Sequence, residues 1–584
     1  MAILGVDVGG TFTDAVLLAD GTIHTAKVPT RAEQEESVVE AARLVLAAAG
    51  LPGVERFAHG TTVATNALLE RKGARTAFVA TEGFEHLLHL RRQSRAHLYR
   101  LEVEHPEALV PLERCVGVRE RMGPEDVVTP LALETLPEVD AEAIAVCLLF
   151  AFRDPTHERA VAAELRRRRP DTHVVASHEI APELREYERA STTAVDAYLG
   201  PAVARYLRAL GDAARDAGLP EPLVMRSSGG VATIDEAADH PALILVSGPA
   251  AGVVAAERIA ALAGVGEAIT FDMGGTSTDV CLVADGRAGR AEEREVAGFP
   301  VRVPMVDVHT VGAGGGSIAW RDAGGALRVG PRSAGSSPGP ACYGRGGTEP
   351  TVTDANLLLG RLPSTLPGGL ELDREAARRA LGDIDPSDVV DVVNAEMLRA
   401  LRVVSVEQGH DPRGFALVAF GGAGPLHACA LAEELGSTRV LVPATAGVLS
   451  AVGLVASDER RDHVRSHVGP LSEAGTLPEA GEASLRYRGQ SFELTVPLGQ
   501  DLEDRFHRAH EERYGYADRR RVVELVTIRT ADVREGPPLE LRATERPRVS
   551  GPELLVLEGA TCWVPDGWVG ETDPHGTLIL ERKR

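Results

Sequence analysis

The stretch DVGGTFTD, residues 7–14, decides the fold, because it recurs almost unchanged as DMGGTSTD at residues 272–279. Six of the eight positions are identical. Each copy begins at the end of an apolar run, residues 3–8 and 268–273, that predicts a buried strand. A Gly-Gly turn then leads into a returning strand. One such pattern is typical of any β-hairpin, but two near-identical copies indicate a duplicated unit.

The residue types in this repeat suit a phosphate group and a divalent cation. Glycine lets backbone N–H groups approach phosphate without side-chain obstruction and permits unusual φ angles, and threonine hydroxyls add donors. An aspartate at the strand end can hold Mg²⁺ or orient an attacking group. The patterns GxxxxGK[ST] and, at the opening turn, GxGxxG do not occur, which disfavours P-loop enzymes and ordinary dinucleotide folds.

A third glycine turn, FGGAGP at residues 420–425, follows an apolar strand and precedes a helical pattern. The uncharged run over residues 440–457 is long enough for a membrane helix. Pro443, Gly447 and Gly453 interrupt it, so we predict a buried strand followed by a buried helix. From about residue 465, short alternating stretches predict β-structure in a smaller C-terminal module.

Composition narrows the class of protein. The 584 residues are too many for one core, and at ~100–200 residues per domain about three to five domains are expected. A formal net charge of -23 argues against nucleic acid and against an anionic membrane surface. The six cysteines form no CxxC pair and indicate a reducing compartment. The first residues lack the features of a signal peptide, so we expect a cytoplasmic location.

At these motifs the chain resembles the actin/hexokinase/heat-shock-70 superfamily and, within it, the hydantoinase A / 5-oxoprolinase / acetone carboxylase β-subunit family. The supporting stretches span roughly residues 1–460. They are GVDVGGTFTD (5–14), HGTTVATNALLER (59–71), SSGG (227–230), SGPAAGVVAA (247–256), FDMGGTSTDV (271–280), VGAGGGSIAW (311–320), SAGSSPGPACYGRGG (333–347), TVTDANLLLGRL (351–362) and FGGAGPLHA (420–428). Family members usually have a larger β-rich tail, so a function of that tail in partner contact is in doubt here.

The resemblance implies an α/β fold with duplicated actin-like (ribonuclease H-like) ATPase lobes and a smaller β-rich C-terminal module. We place the first lobe at residues 1–180, the second lobe with an adenosine motif at 181–464, and the module at 465–584. It further implies that Asp7 and Asp272 hold Mg²⁺ or its water and orient the acceptor, while Asp14 and Asp279 brace the hairpins. The residues implied to contact ATP are Gly9, Gly10, Thr11, Gly274, Gly275 and Thr276 for phosphate, and Gly421, Gly422 and Gly424 for adenosine.

Substrate-side candidates are His59, Thr61, Thr62 and Asn66, because polar groups crowd a predicted helix start there. The alternative is that the threonines cap the helix and His59 is packed in the core. Arg91 and Arg92 are candidates for an anionic substrate group, or are simply solvated. Two further features stay open. Asp307 and His309 form a D-x-H pair that is too small for a metal site, and the GAGGG run at 312–316 either approaches the ligand or forms a tight turn.

The activity implied by the resemblance is phosphorylation of a cyclic amide, of hydantoin or 5-oxoproline type, by ATP. A B-type subunit then completes ring opening. One alternative is a carboxylase-type subunit that phosphorylates a ketone and bicarbonate; another is an ATP-driven scaffold or reactivating chaperone. No HExxH zinc motif occurs in the sequence, which is consistent with a second subunit handling the hydrolytic water.

Overall fold

The computed structural model describes residues 2–10, 12–366, 369–543 and 547–583. The strands before residue 233 are β1 (Ala2–Val8), β2 (Phe12–Ala19), β3 (Thr22–Pro29), β4 (Arg56–Thr61), β5 (Thr76–Thr81), β6 (Cys115–Val118), β7 (Arg121–Met122), β8 (Val127–Thr129), β9 (Ala143–Cys147), β10 (His173–Ala176), β11 (Leu223–Met225) and β12 (Val231–Ala232). The strands of the middle of the chain are β13 (Ala268–Met273), β14 (Thr278–Ala284), β15 (Arg287–Ala288), β16 (Arg290–Ala291), β17 (Arg294–Val296), β18 (Phe299–Val301), β19 (Met305–Val306), β20 (His309–Val311), β21 (Ser317–Arg321), β22 (Leu327–Ser333), β23 (Thr365–Leu366), β24 (Leu370–Glu371), β25 (Ala416–Phe420) and β26 (Arg439–Pro443).

The remaining strands are β27 (Glu459–Pro470), β28 (Glu482–Tyr487), β29 (Leu494–Pro497), β30 (Val523–Arg534), β31 (Arg548–Ser550), β32 (Glu553–Leu557), β33 (Ala560–Val564), β34 (Trp568–Thr572) and β35 (Thr577–Arg582). The α-helices are α1 (Gln34–Ala49), α2 (Val63–Leu69), α3 (Leu87–Leu90), α4 (Thr156–Arg168), α5 (Ser177–Ile180), α6 (Glu186–Asp216), α7 (Ile234–Asp239), α8 (Ser247–Leu262), α9 (Val352–Leu358), α10 (Arg374–Leu381), α11 (Pro386–Val404), α12 (Gly424–Leu435), α13 (Leu449–Ala456) and α14 (Leu502–Tyr514).

Two sheets share one topology. In the first lobe the strand order is β3-β2-β1-β4-β11, with β1 antiparallel to β2 and parallel to β4. Because β11 lies at residues 223–225, this lobe extends past the boundary at residue 180 that we placed from the sequence. In the second lobe the order is β15-β14-β13-β25-β26, with β13 antiparallel to β14 and parallel to β25. An antiparallel three-stranded meander followed by two parallel strands is therefore present twice. This repetition confirms the predicted α/β fold with duplicated ribonuclease H-like lobes.

Helices α8 and α13 pack against each other between the lobes, and α13 also covers β1 and β4. The approach is close, because a Cβ on Gly5 of β1 would lie 2.5 Å from the carbonyl oxygen of Ala451. Likewise a Cβ on Gly453 would collide with the backbone of Ala251. The run over residues 440–457 is strand β26 followed by helix α13, as the sequence predicts.

A four-stranded sheet, β10-β9-β5-β6, is inserted between β4 and β11, and all its neighbouring strands are parallel. The long helix α6 packs against its strand β9 and also contacts β18 of the second lobe. This sheet and its helices form a distinct layer on the first lobe.

The C-terminal strands extend both large sheets. Strands β27 to β30 continue the first sheet beyond β12, while β35, β34 and β31 continue the second sheet beyond β26. A buried ionic junction fastens this region to both lobes. Glu183 accepts from Arg302 and Arg529 at 2.7 Å each, and Arg529 also donates to Glu292 at 2.7 Å. Within the described ranges, no helix is long and apolar enough to cross a membrane.

Candidate functional site

Asp7 and Asp272 occupy equivalent places, one residue before the ends of β1 and β13. Each carboxyl group is partly exposed but lies deep among protein atoms. Burial raises the pKa of Asp7 to about 7 and the pKa of Asp272 to about 8. Neighbouring carboxylates add to both shifts, and Asp7 itself raises the pKa of Asp272. The two acids of the two lobes therefore lie within electrostatic reach of each other.

A second acid stands beside each of them. Asp14 is opposite Asp7 in the β1–β2 register, and Asp279 is opposite Asp272 in the β13–β14 register, so each pair shares a face of its sheet. Asp14 forms an ion pair with Lys27, and Asp279 accepts a hydrogen bond from Thr310 Oγ1 at 2.5 Å. Both outer acids are thus bonded to protein groups, which agrees with a bracing role.

The two Gly-Gly turns have matching geometry. Gly9 N donates to Phe12 O at 3.0 Å, and Gly274 N donates to Ser277 O at 3.1 Å. A Cβ on Gly10 or on Gly275 would meet no atom within 4 Å. None of these glycines has a positive φ, so it is open space and not unusual backbone geometry that distinguishes them.

Of the two threonines in these turns, Thr276 is exposed beside Gly275, whereas Thr11 lies outside the described residues. The exposed turns leave backbone groups free to face a ligand.

The GAGGG run packs on the second hairpin. Gly315 N donates to Gly274 O at 3.0 Å, and Gly316 N donates to Gly275 O at 2.7 Å. A Cβ on Gly314 would lie 2.7 Å from the carbonyl carbon of Gly275. These glycines therefore permit close approach between two backbone segments, and the run forms a layer behind the turn.

The third glycine turn lies directly against the end of β13. Gly421 has φ +78° and a Cβ there would collide with Asp272 Oδ1, so glycine is required by both conformation and space. Ala423 N donates to Met273 O at 3.0 Å, and Gly424 starts α12 next to Phe271. Gly422 is exposed. The second hairpin, the third turn and Asp272 thus form one continuous surface.

His59 is a core residue bonded at both ring nitrogens. Nδ1 lies 3.0 Å from Val6 O, and Nε2 lies 2.8 Å from the hydroxyl of Tyr206. Burial lowers the pKa of His59 to about 4, so the ring is neutral at pH 7, donates from Nδ1 and accepts at Nε2. The structure therefore leaves His59 no free nitrogen for a substrate.

The neighbouring polar residues keep the start of α2 beside the end of β1. Thr61 Oγ1 accepts from Val63 N at 3.2 Å, and Asn66 Nδ2 donates to Thr62 Oγ1 at 3.2 Å. Thr61 is opposite Val8 in the β1–β4 register. Thr62 and Asn66 remain partly exposed at this strand end. They are the members of the group still available to a substrate near Asp7.

Arg91 and Arg92 are engaged elsewhere. Arg91 donates to Pro106 O and stacks over the ring of Phe299 at 5.8 Å. Arg92 forms a two-pronged ion pair with Glu188 of α6, with Nε at 2.8 Å from Oε1. Both side chains anchor the loop that follows α3, and among the described residues no contact places them with the aspartate pair.

The carboxyl groups of Asp7 and Asp272 could hold a cation together with ligands from another molecule. Asp7 Oδ1 is buried without a hydrogen-bond partner, pressed against Gly60, where a Cβ would lie 2.5 Å away. No group of three or more His, Cys, Asp or Glu side chains within the described ranges could hold a metal by itself. Mg²⁺ is commonly held by one or two carboxylates together with phosphate oxygens, and the donors present fit that arrangement. Asp307, the first residue of the D-x-H pair, accepts a hydrogen bond from Gln408 Nε2 at 3.4 Å.

Three participants were not foreseen from the sequence. Gly60 makes room for the Asp7 carboxyl group, Thr30 Oγ1 donates to Gly9 O at 2.9 Å, and Thr353 Oγ1 donates to Gly315 O at 2.8 Å. The glycine of the HGTT motif carried a signal, because a glycine inside a strand often marks the close approach of another group. The two threonines carried none, because their contacts join segments far apart in the chain.

Two family models and several known proteins match this chain over most of its length. Residues 3–168 match the sequence model of the hydantoinase/oxoprolinase N-terminal region, and residues 189–463 match that of hydantoinase/oxoprolinase. Caprolactamase subunit alpha of Pseudomonas jessenii is 35% identical over 97% of this chain and 90% of its own length. The crystal structure of the ATP-dependent caprolactamase from the same organism has a TM-score of 0.88 and 31% identity, with both chains fully covered.

Two other relatives carry different names. Acetophenone carboxylase gamma subunit of Aromatoleum aromaticum is 35% identical over 81% of this chain and 70% of its own length. 5-Oxoprolinase 1 of Arabidopsis thaliana is 35% identical over 78% of this chain, but the match covers only 41% of that longer protein.

Proposed function

The chain belongs to the hydantoinase/oxoprolinase family, and from this premise we propose that it is the ATP-using subunit of a cyclic amide hydrolase. The observation that carries the proposal is the pair of glycine hairpins, each next to a partly desolvated aspartate, with a third glycine turn beside Asp272. Relatives named for the hydrolysis of a lactam and of oxoproline support the choice of substrate class.

An amide carbonyl needs activation before water can open the ring. In the proposed reaction the amide oxygen attacks the γ-phosphorus of ATP, the bond from that phosphorus to the β–γ bridging oxygen breaks, and ADP leaves. The ring nitrogen gives up its proton as the new O–P bond forms. Water then adds to the activated carbon, and the C–N bond breaks as the ring nitrogen takes a proton, which opens the ring and leaves an acyl phosphate. A second water molecule hydrolyses the acyl phosphate to a carboxylate and phosphate.

The residues divide this work between them. Asp7 and Asp272 would hold Mg²⁺, which when bound offsets the charge of the phosphate oxygens. The turns at Gly10 and Gly275 bind phosphate through exposed backbone groups, and the turn at Gly421 receives adenosine. A carboxyl group whose pKa lies near neutrality can gain and lose a proton there, so the aspartate that would hold Mg²⁺ through a water molecule also accepts the amide proton.

A panel of acceptors tests the proposal. Release of phosphate from Mg-ATP is measured with 5-oxoproline, hydantoins, lactams of five to seven ring atoms, and acetone with bicarbonate, each with and without a B-type subunit. We expect stimulation by one cyclic amide. Stimulation only by the ketone with bicarbonate would favour the carboxylase alternative, which the similarity to acetophenone carboxylase gamma subunit supports. Stimulation only by a protein partner would favour a scaffold.

A further inference from the structure

Gly315 lies where three parts of the second lobe meet. Its N–H donates to Gly274 O of the hairpin at 3.0 Å, and its carbonyl accepts both the N–H and the Oγ1–H of Thr353, each at 2.8 Å. A Cβ on Gly315 would lie 3.0 Å from Thr353 Oγ1 and 3.8 Å from the Cβ of Ala423 in the third turn. The second hairpin is therefore joined through this glycine to α9.

The other end of α9 is fastened to α12, the helix that begins at the third turn. Asn356 Nδ2 donates to His427 Nε2 at 3.3 Å, and His427 Nδ1 donates to Asn394 Oδ1 of α11 at 2.7 Å. Burial lowers the pKa of His427 to about 3, so the ring stays neutral and keeps one donor and one acceptor. Asn356 and His427 are both buried, which fixes α9 relative to α12.

We propose that Thr353 and Asn356 of α9 are positioning residues that hold the second phosphate hairpin in register with the adenosine turn. This inference rests on the proposed function, because it assigns phosphate to the hairpin and adenosine to the turn. The reason is mechanical. The tip at Gly275 and Thr276 is exposed, and the glycine layer behind it has no side chains of its own to lock it. Donors aimed at a phosphate work only if their backbone is held in place beforehand.

The first hairpin is braced differently. Gly9 O accepts from Thr30 Oγ1 at 2.9 Å, and Thr30 directly follows β3 of the same meander. That brace is local to the first lobe. The second hairpin is joined, through Gly315 and α9, to the helix that carries the third turn, so loosening α9 should weaken phosphate contacts without removing the adenosine surface.

Isothermal titration of the whole chain with ADP and with adenosine, in the presence of MgCl₂, tests the inference. The ratio of the ADP association constant to the adenosine association constant reports what the phosphates contribute to binding. We expect Thr353→Val and Asn356→Ala each to lower this ratio about 3–10-fold, the effect of losing one hydrogen bond. Adenosine affinity in Thr353→Val should stay within about twofold of wild type, and Thr353→Ser should restore the ratio.

Ser437→Ala is the matched control, because Ser437 Oγ also donates to a backbone carbonyl, Phe415 O at 2.6 Å, at the opposite end of β25. It should lower the melting temperature and leave the ratio unchanged. An unchanged ratio in folded Thr353→Val, with ADP bound by wild type, would overturn the inference alone. Failure of wild type to bind ADP at all would instead overturn the proposed function and the inference with it. Thr353 is partly exposed, so its variant remains informative if Asn356→Ala does not fold.

Discussion

Asp7 and Asp272 differ from surface carboxylates because the protein offers them few hydrogen-bond donors. Asp7 Oδ1 is buried and has no hydrogen-bond partner, and both pKa values are raised to near neutrality. Asp7→Asn and Asp272→Asn should each lower the rate of phosphoryl transfer about 10²–10⁴-fold. The asparagine side chain neither takes a proton nor holds a cation as a carboxylate does. The measurement is substrate-stimulated phosphate release at saturating ATP. Wild-type turnover in both variants would show that these residues have other roles.

The same raised pKa values predict a pH dependence of stability. The carboxyl groups titrate near 3.8 when unfolded and at about 7 and 8 when folded, so between these values the folded chain binds more protons. Stability contributed by the protonated groups is full below the unfolded pKa and is lost as pH rises through the folded pKa. In EDTA without nucleotide, each Asn variant should gain more melting temperature over wild type at pH 9 than at pH 5.

The gain in stability of each Asn variant at pH 9 should correspond to an increase of about 1 kcal/mol or more in the free energy of unfolding. Asp126→Asn, at an exposed loop position, is the control and should show no such difference between the two pH values. An equal gain at pH 5 and pH 9 would mean that the aspartates are not held protonated by the fold.

At the scale of elements, the two glycine hairpin turns have open space in front of them. A Cβ on Gly10 or Gly275 meets no protein atom within 4 Å, and neither residue needs a positive φ. Gly10→Val and Gly275→Val should therefore fold normally while the new side chain occupies the space of a phosphate. We expect ADP affinity to fall at least about tenfold, a loss of ~1.4 kcal/mol, as measured by titration calorimetry.

Two other glycines provide matched controls for these substitutions. Gly53 and Gly414 also have open Cβ positions and no positive φ, one in each lobe and both away from the hairpins. Their Val variants should bind ADP as wild type does. Unchanged ADP affinity in both hairpin variants would show that the turns connect strands and do not bind nucleotide.

The elements that the sequence predicted well are those whose signal is local. Each hairpin strand was readable from its apolar run, and β26 followed by α13 from the proline and glycines that interrupt residues 440–457. Contacts between distant segments were not readable. Nothing near His59 in sequence indicates that Tyr206 accompanies it, and nothing near residue 465 indicates that the following strands extend both sheets.

At the scale of the whole molecule, the two lobes and the C-terminal strands are tied into one body. Helices α8 and α13 join the lobes through glycine contacts, and Arg529 reaches from β30 to Glu183 of the first lobe and Glu292 of the second. Removing one partner of such a buried ion pair usually costs about 3–5 kcal/mol. The C-terminal strands are therefore part of the lobes' own stability, and their contribution to any partner contact comes in addition to that structural role.

The last prediction concerns what this chain does alone. Its site has groups suited to phosphoryl transfer, while the sequence has no HExxH motif to activate the hydrolytic water. A phosphorylated amide is labile, so it should pass to a second subunit across an interface of roughly 1,200–2,000 Å² without entering bulk solvent. Relatives named as subunits alpha and gamma fit this division. Purified chain with Mg-ATP and its cyclic amide should release phosphate slowly and open no ring, and addition of a B-type subunit should restore one ring opened per ATP. Stoichiometric ring-opened product from the isolated chain would place both steps in this one polypeptide.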